Sequence, residues 1–211
     1  MLDKQIREQI IALINREVVP AVGCTEPMCV SLCVARATET LGFCPEKITV
    51  LLSSNILKNA MGVGIPGTGM IGLPIAVALG ALVGKSEYQL EVLKDLTPET
   101  LEKGKQYING NHIDIRLKSG ITEKLYVEVR CEAEGHVATA IIAHAHTNFV
   151  FVERDGVARL DNRKPAGKEA DNDDIILDMR MVHDFSTTTP LDEIRFILKT
   201  REYNMRAAAE S

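Results

Sequence analysis

AMGVGIPGTGMIGLPIAVALGALVG, residues 60–84, runs for 25 positions without a charge. That exceeds the roughly 20 residues a bilayer-crossing helix needs, so its reading decides between a membrane protein and a globular one. Seven glycines and two prolines interrupt it. Pro66-Gly67-Thr68-Gly69 reads as a loop, because proline removes a backbone donor and glycine admits turns, which leaves Ile71 to Val83 as the continuous apolar helix. Such a remainder is too short to span a bilayer. It is predicted to be a helix buried in a globular core, and no membrane partner is expected.

On either side of this stretch the periodicity differs. Downstream, Ser86 is placed to cap a helix through Leu93, and Thr97-Pro98 starts another that stops at Asn109-Gly110. From His112 the apolar period becomes two: Ile113, Ile115 and Leu117, then Leu125, Val127, Val129 and Cys131, with Lys118-Ser119-Gly120 as the turn between them. Val137 to Ala143, Asn148 to Val152 and Val157 to Leu160 continue the alternation. The prediction is an antiparallel meander of four or five strands. Upstream, Ile48 to Leu52 reads as a short buried strand, Met28 to Leu41 as a central helix closed by Gly42, and Asp3 as the cap of a first helix ending before Pro20. The fold class is therefore α+β, with a helical lobe over 1–96, an α+β unit over 97–160, a polar linker over 161–174, and helices over 175–211 returning to the lobe. The last helix, from Thr189-Pro190, reaches Ser211 without a stop signal, which predicts that the native protein continues.

Gly23-Cys24-Thr25-Glu26-Pro27 carries the strongest chemical signal. Proline belongs in a first helical turn, and Thr25 or Glu26 can cap the free amides, so Cys24 falls at a helix N-terminus where amides and dipole favour a thiolate. It is a candidate nucleophile, base or metal ligand; the plainer alternative is a small buried hydrophobe. Cys29 and Cys33, four apart on the next helix, and Cys44 and Cys131 read as packing residues. Ser53 to Asn59 and the glycine-rich loop place polar groups, Lys58 and Asn59 among them, beside each other.

Composition excludes several classes. A net charge of −5 with scattered basic residues gives no nucleic-acid footprint. Five cysteines without a CxxC pair, behind a charged amphipathic N-terminus, predict a reducing, cytoplasmic location. Gly67 to Gly72 fits GxGxxG, as does Gly62 to Gly67, but neither follows a buried strand in a βαβ rhythm, so a pyridine-nucleotide site is the weakest reading. His144 and His146, expected on one strand face, could suit zinc only with further ligands.

Taken together, Gly23-Cys24-Thr25-Glu26-Pro27, Ser53-x-Asn55-x-x-Lys58-Asn59, Pro66-Gly67-Thr68-Gly69-Met70-x-Gly72-Leu73-Pro74-Ile75-Ala76, Leu90-Glu91-Val92-Leu93-Lys94 and His146-Thr147-Asn148 resemble, in order, the UPF0597 family. That family includes L-cysteine desulfidase and is related to the iron–sulfur L-serine dehydratase alpha chain. The resemblance implies β-elimination: L-cysteine to pyruvate, ammonia and sulfide, or the L-serine equivalent, on a [4Fe–4S] cluster. It implies Cys24 as a cluster thiolate or the base, Lys58 and Asn59 as catalytic groups binding the substrate carboxylate, and Asn55, Gly67, Thr68 and Gly69 as substrate-binding residues. Members of the family are about twice this length, with their other cluster cysteines in a helical C-terminal half. This chain is thus expected to be an N-terminal half, to hold no cluster alone, and to pair with that missing half or with itself. A non-catalytic binding or partner module is the alternative.

Overall fold

The computed structural model describes residues 2–21, 23–163 and 175–210. The chain divides into two compact units, Met1–Pro20 with Gly167–Ser211, and Ala21–Ala166. In the first, α1 (Lys4–Glu17) starts where the Asp3 carboxylate accepts from the Gln5 amide at 2.8 Å.

The second unit begins with α2 (Thr25–Leu41), which ends on Gly42 in the left-handed conformation, φ 81°. Its residues from Pro27 to Ala35 are all buried. β1 (Lys47–Leu52) follows, burying alternate residues, and then α3 (Ser54–Ala60). The glycine-rich stretch folds as a short hairpin, β2 (Gly64–Ile65) and β3 (Met70–Ile71), leading into α4 (Leu73–Leu82). This helix is apolar on all sides, the signature of full enclosure. It crosses α2 so closely that the Ser31 hydroxyl donates to the Ala76 carbonyl at 2.8 Å. Among the described residues, no helix is long and apolar enough to cross a membrane.

The helix expected over Ser86 to Leu93 is only a 3₁₀ turn, Ser86–Glu91, broken at Gln89 with φ 53°. Helix α5 (Pro98–Asn109) starts as expected, with Thr97 and Thr100 in a reciprocal capping box. The strands then follow: β4 (Ile113–Leu117), β5 (Tyr126–Ala133), β6 (His136–Ala143), β7 (Phe149–Arg154) and β8 (Val157–Asp161). The α+β class holds.

The sheet itself departs from the expected meander. Its order is β4-β1-β5-β6-β7-β8, six strands with β1 inserted between β4 and β5. β1 runs parallel to β4, with Val50 opposite Ile115, and antiparallel to β5, with Val50 opposite Val129. Lys118-Ser119-Gly120 therefore does not close a hairpin between neighbours. The parallel pair needs a long crossover, and α3, the hairpin, α4 and α5 form it. One contiguous apolar core runs from α2 through β1 to β7, so the expected boundary at 96/97 falls inside the unit Ala21–Ala166.

The remaining helices share the first unit with α1: α6 (Met179–Thr188), α7 (Leu191–Ile194) and α8 (Leu198–Glu210). The Arg7 guanidinium grips the Glu193 carboxylate through two bonds, 2.9 and 3.0 Å, which holds that carboxyl below its usual range. Most of the expected linker at 161–174 lies outside the described residues; Asp161 itself ends β8.

Candidate functional site

The site is built on the N-terminus of α2. Cys24 occupies the cap position with extended backbone, φ −66° and ψ 136°, and its side chain makes no capping bond. Serine, threonine or aspartate there would accept from the first-turn amides. The thiol is instead exposed; its place at the helix start is the one the sequence predicted, and the buried-hydrophobe alternative does not hold.

Two neighbours enclose this corner. Gly23, at φ 86°, lies against the hairpin: a side chain there would put its Cβ 2.5 Å from Cγ of Pro66. Only glycine allows both the left-handed backbone and the approach. On the other flank, α3 begins where Ser53 donates to the Lys124 carbonyl at 2.8 Å and accepts from the Ile56 amide. Asn55, Lys58 and Asn59 stand at helical spacing on its exposed side, while Ile56 and Ala60 anchor the other to the core.

One side-chain bond ties α3 to the corner. The Asn59 amide nitrogen donates to Oε1 of Glu26 at 3.3 Å, and the Thr25 hydroxyl donates to Oε2 of the same carboxylate at 3.3 Å. Glu26 is the residue that sequence reasoning treated only as a possible cap. Its partner is 33 positions away, and local pattern has no means of showing such a pairing.

The other predicted residues divide. Lys58 is exposed one position before Asn59. Asn55, about a turn earlier, lines an open cleft of about 620 Å³ with Ser54 and the 117–124 loop. Gly67 and Gly69 shape the hairpin turn at φ 74° and 64°. Thr68 is buried, and its hydroxyl donates to the Ile65 carbonyl at 2.6 Å while accepting from the Met70 amide at 3.0 Å. Those bonds commit the hydroxyl to holding the turn.

Cys29, Cys33 and Cys131 are enclosed. Burial raises all three thiols, that of Cys131 to about 12. Cys33 Sγ donates to the Ala140 carbonyl at 3.3 Å. His144 and His146 lie in the turn after β6, not on a strand face, and His144 adopts φ 72°. Among the described residues, no three His, Cys, Asp or Glu side chains gather as a metal site. The GxGxxG segment is the β2–β3 hairpin, outside the main sheet, and lacks the strand–turn–helix that binds a dinucleotide.

The chain as a whole is similar to several known proteins. A protein of Bacteroides fragilis is 64% identical over 205 residues, covering 97% of this chain and 48% of the relative. One of Phocaeicola vulgatus is 63% identical over 211 residues, covering 100% and 49%. Its relatives are UPF0597 proteins. Another, of Aeromonas hydrophila, is 40% identical over 203 residues, covering 95% of this chain and 46% of the relative. The chain thus spans about half the length of the curated UPF0597 relatives it matches. No family model and no solved structure matches it.

Proposed function

We propose that this chain contributes the amino-acid-binding wall of a β-eliminating lyase resembling L-cysteine desulfidase, with L-serine as the alternative substrate. The observation that carries the reading is the Asn59–Glu26 bond, which joins α3 to the helix N-terminus where Cys24 is exposed and Gly23 meets Pro66 of the glycine-rich turn; Lys58 is exposed next to Asn59 in the chain. Cys24, Glu26, Lys58 and Asn59 all lie outside the buried core. The alternative, a binding module without turnover, would use the same wall.

The implied [4Fe–4S] cluster is not fitted by this chain's residues alone. Such clusters take several thiolates. Cys24 offers one at the corner, and the thiols of Cys29, Cys33 and Cys131 are enclosed and held protonated by burial. The chemistry assigned here is therefore the chain's own: holding the amino acid and orienting it.

In the elimination the α-proton passes to a base, a role open to Cys24, the electron pair of the broken C–H bond forms the Cα–Cβ double bond, and the C–S bond breaks to release hydrosulfide. The aminoacrylate tautomerises to an imine, which water hydrolyses to pyruvate and ammonium. Lys58 is suited to the substrate carboxylate as a point charge on a flexible stem. The free first-turn amides of α2 favour negative charge close to Cys24.

Calorimetric titration of this chain with L-cysteine and with L-serine tests the reading. It expects saturable binding of at least one, lost in Lys58→Ala with an unchanged melting temperature. Sulfide and pyruvate release by the Bacteroides fragilis relative, measured with the same substitution at the matching position, tests turnover. No binding of either amino acid, or no pyruvate from the relative, would overturn it.

A further inference from the structure

The bond between Glu26 and Asn59 has a polarity that cannot reverse. An ionised carboxylate only accepts hydrogen bonds, so the Asn59 carboxamide must turn its nitrogen toward Glu26 and its oxygen away. The geometry is that of a fixed acceptor: Nδ2 to Oε1 at 3.3 Å, with the other Glu26 oxygen taken by the Thr25 hydroxyl. Glu26 is itself held, half-buried, in the first turn of α2, between exposed Cys24 and buried Pro27. Asn59 sits on the last turn of α3, whose other side is locked by Ile56 and Ala60.

We infer that Glu26 is a positioning residue that makes Asn59 a receptor for the substrate's α-ammonium, leaving the carboxylate to Lys58. This rests on the amino-acid reading above and deepens it. It departs from the sequence expectation, in which Asn59 shared the carboxylate with Lys58. A carboxamide oxygen and an adjacent carboxylate attract an ammonium and repel a carboxylate, whereas Lys58 does the reverse. Lys58 and Asn59 are both exposed at the end of α3, and their charge preferences are opposite. The corner therefore selects α-amino acids over α-hydroxy acids of the same shape.

Glycerate is the matched probe, since it replaces the α-ammonium of serine with a hydroxyl and changes nothing else. Calorimetry with L-serine and L-glycerate is expected to show serine bound at least about tenfold more tightly, as a lost charge-assisted bond implies. In Glu26→Gln the amide can face Asn59 in either sense, so the acceptor is no longer fixed. Serine affinity should then fall about tenfold while glycerate affinity holds, collapsing the ratio. Asn59→Ala should do the same, and both variants should keep the parent's urea midpoint. A merely structural bond would instead lower the midpoint and weaken both ligands together, which would overturn the inference. A serine-to-glycerate ratio unchanged by either variant would also overturn it while leaving the amino-acid site standing. Binding of neither ligand by the parent would remove both the site and the inference.

Discussion

Helix α2 is two environments in one element. In its middle, Ser31 and Val34 meet α4 with no free volume, since a Cβ on Gly80 would lie 2.7 Å from the Ser31 carbonyl oxygen and 3.1 Å from Cβ of Val34. At its N-terminus the same helix opens to solvent, with Cys24 exposed and Glu26 reaching to another helix. The seam uses small and apolar residues because close packing leaves nothing else room. The corner keeps groups that contribute little to packing. Close packing and exposed polar groups are thus separated along about two turns, and substitutions should divide the same way.

The largest stability effect belongs to the buried middle of α2. Leu32 is fully buried in the main core, and Leu32→Ala is expected to cost about 2–5 kcal/mol by lost transfer energy and cavity formation. Urea unfolding measures it; a loss below about 1 kcal/mol would mean that the core around α2 relaxes and the comparison fails. Gly80→Ala comes next, at about 1–3 kcal/mol, because the methyl meets backbone that cannot rotate away. Alanine's better helix propensity returns only about 1 kcal/mol of this.

The thiols sharpen the contrast. Cys29, Cys33 and Cys131 hold their protons more tightly folded than unfolded. Above the ordinary thiol range, about 8.5, the unfolded chain gives up protons that the folded one keeps. Their contribution is thus complete below that range and declines as pH rises, for Cys131 toward about 12. The urea midpoint should fall from pH 8 to pH 10, and less so in Cys131→Ala. Under native conditions iodoacetamide should modify Cys24 and Cys44 and spare the other three until the protein unfolds. The smallest stability effect is expected at the corner: Lys58→Ala should change it by no more than about 0.5 kcal/mol yet remove amino-acid binding. A large drop in melting temperature with intact binding would make Lys58 a structural residue.

Much of the fold could be read locally. The Thr97-Pro98 start of α5, the Asp3 cap and the Gly42 stop depend on neighbours within a turn, and all three stand where the residues put them. The Ser86 helix did not form as expected; Glu39 accepts from both the amide and the hydroxyl of Ser86, a partner 47 positions away. Cys24 was legible because a helix start is a local event. Thr68 was not, because nothing in its neighbourhood shows that its hydroxyl would be used up within its own turn.

What the sequence by itself determined is periodicity and punctuation: most of the helices and strands, α3 and the broken Ser86 turn excepted, which faces are apolar, and that Cys24 stands at a helix N-terminus. Tertiary structure alone decided the insertion of β1 between β4 and β5, the closure of Gly23 against Pro66 and the bond from Asn59 to Glu26. The physical reason is one of range. Backbone preference and capping act over three or four residues and leave a record in spacing, whereas strand partners and side-chain pairs between helices are chosen by how the whole core closes.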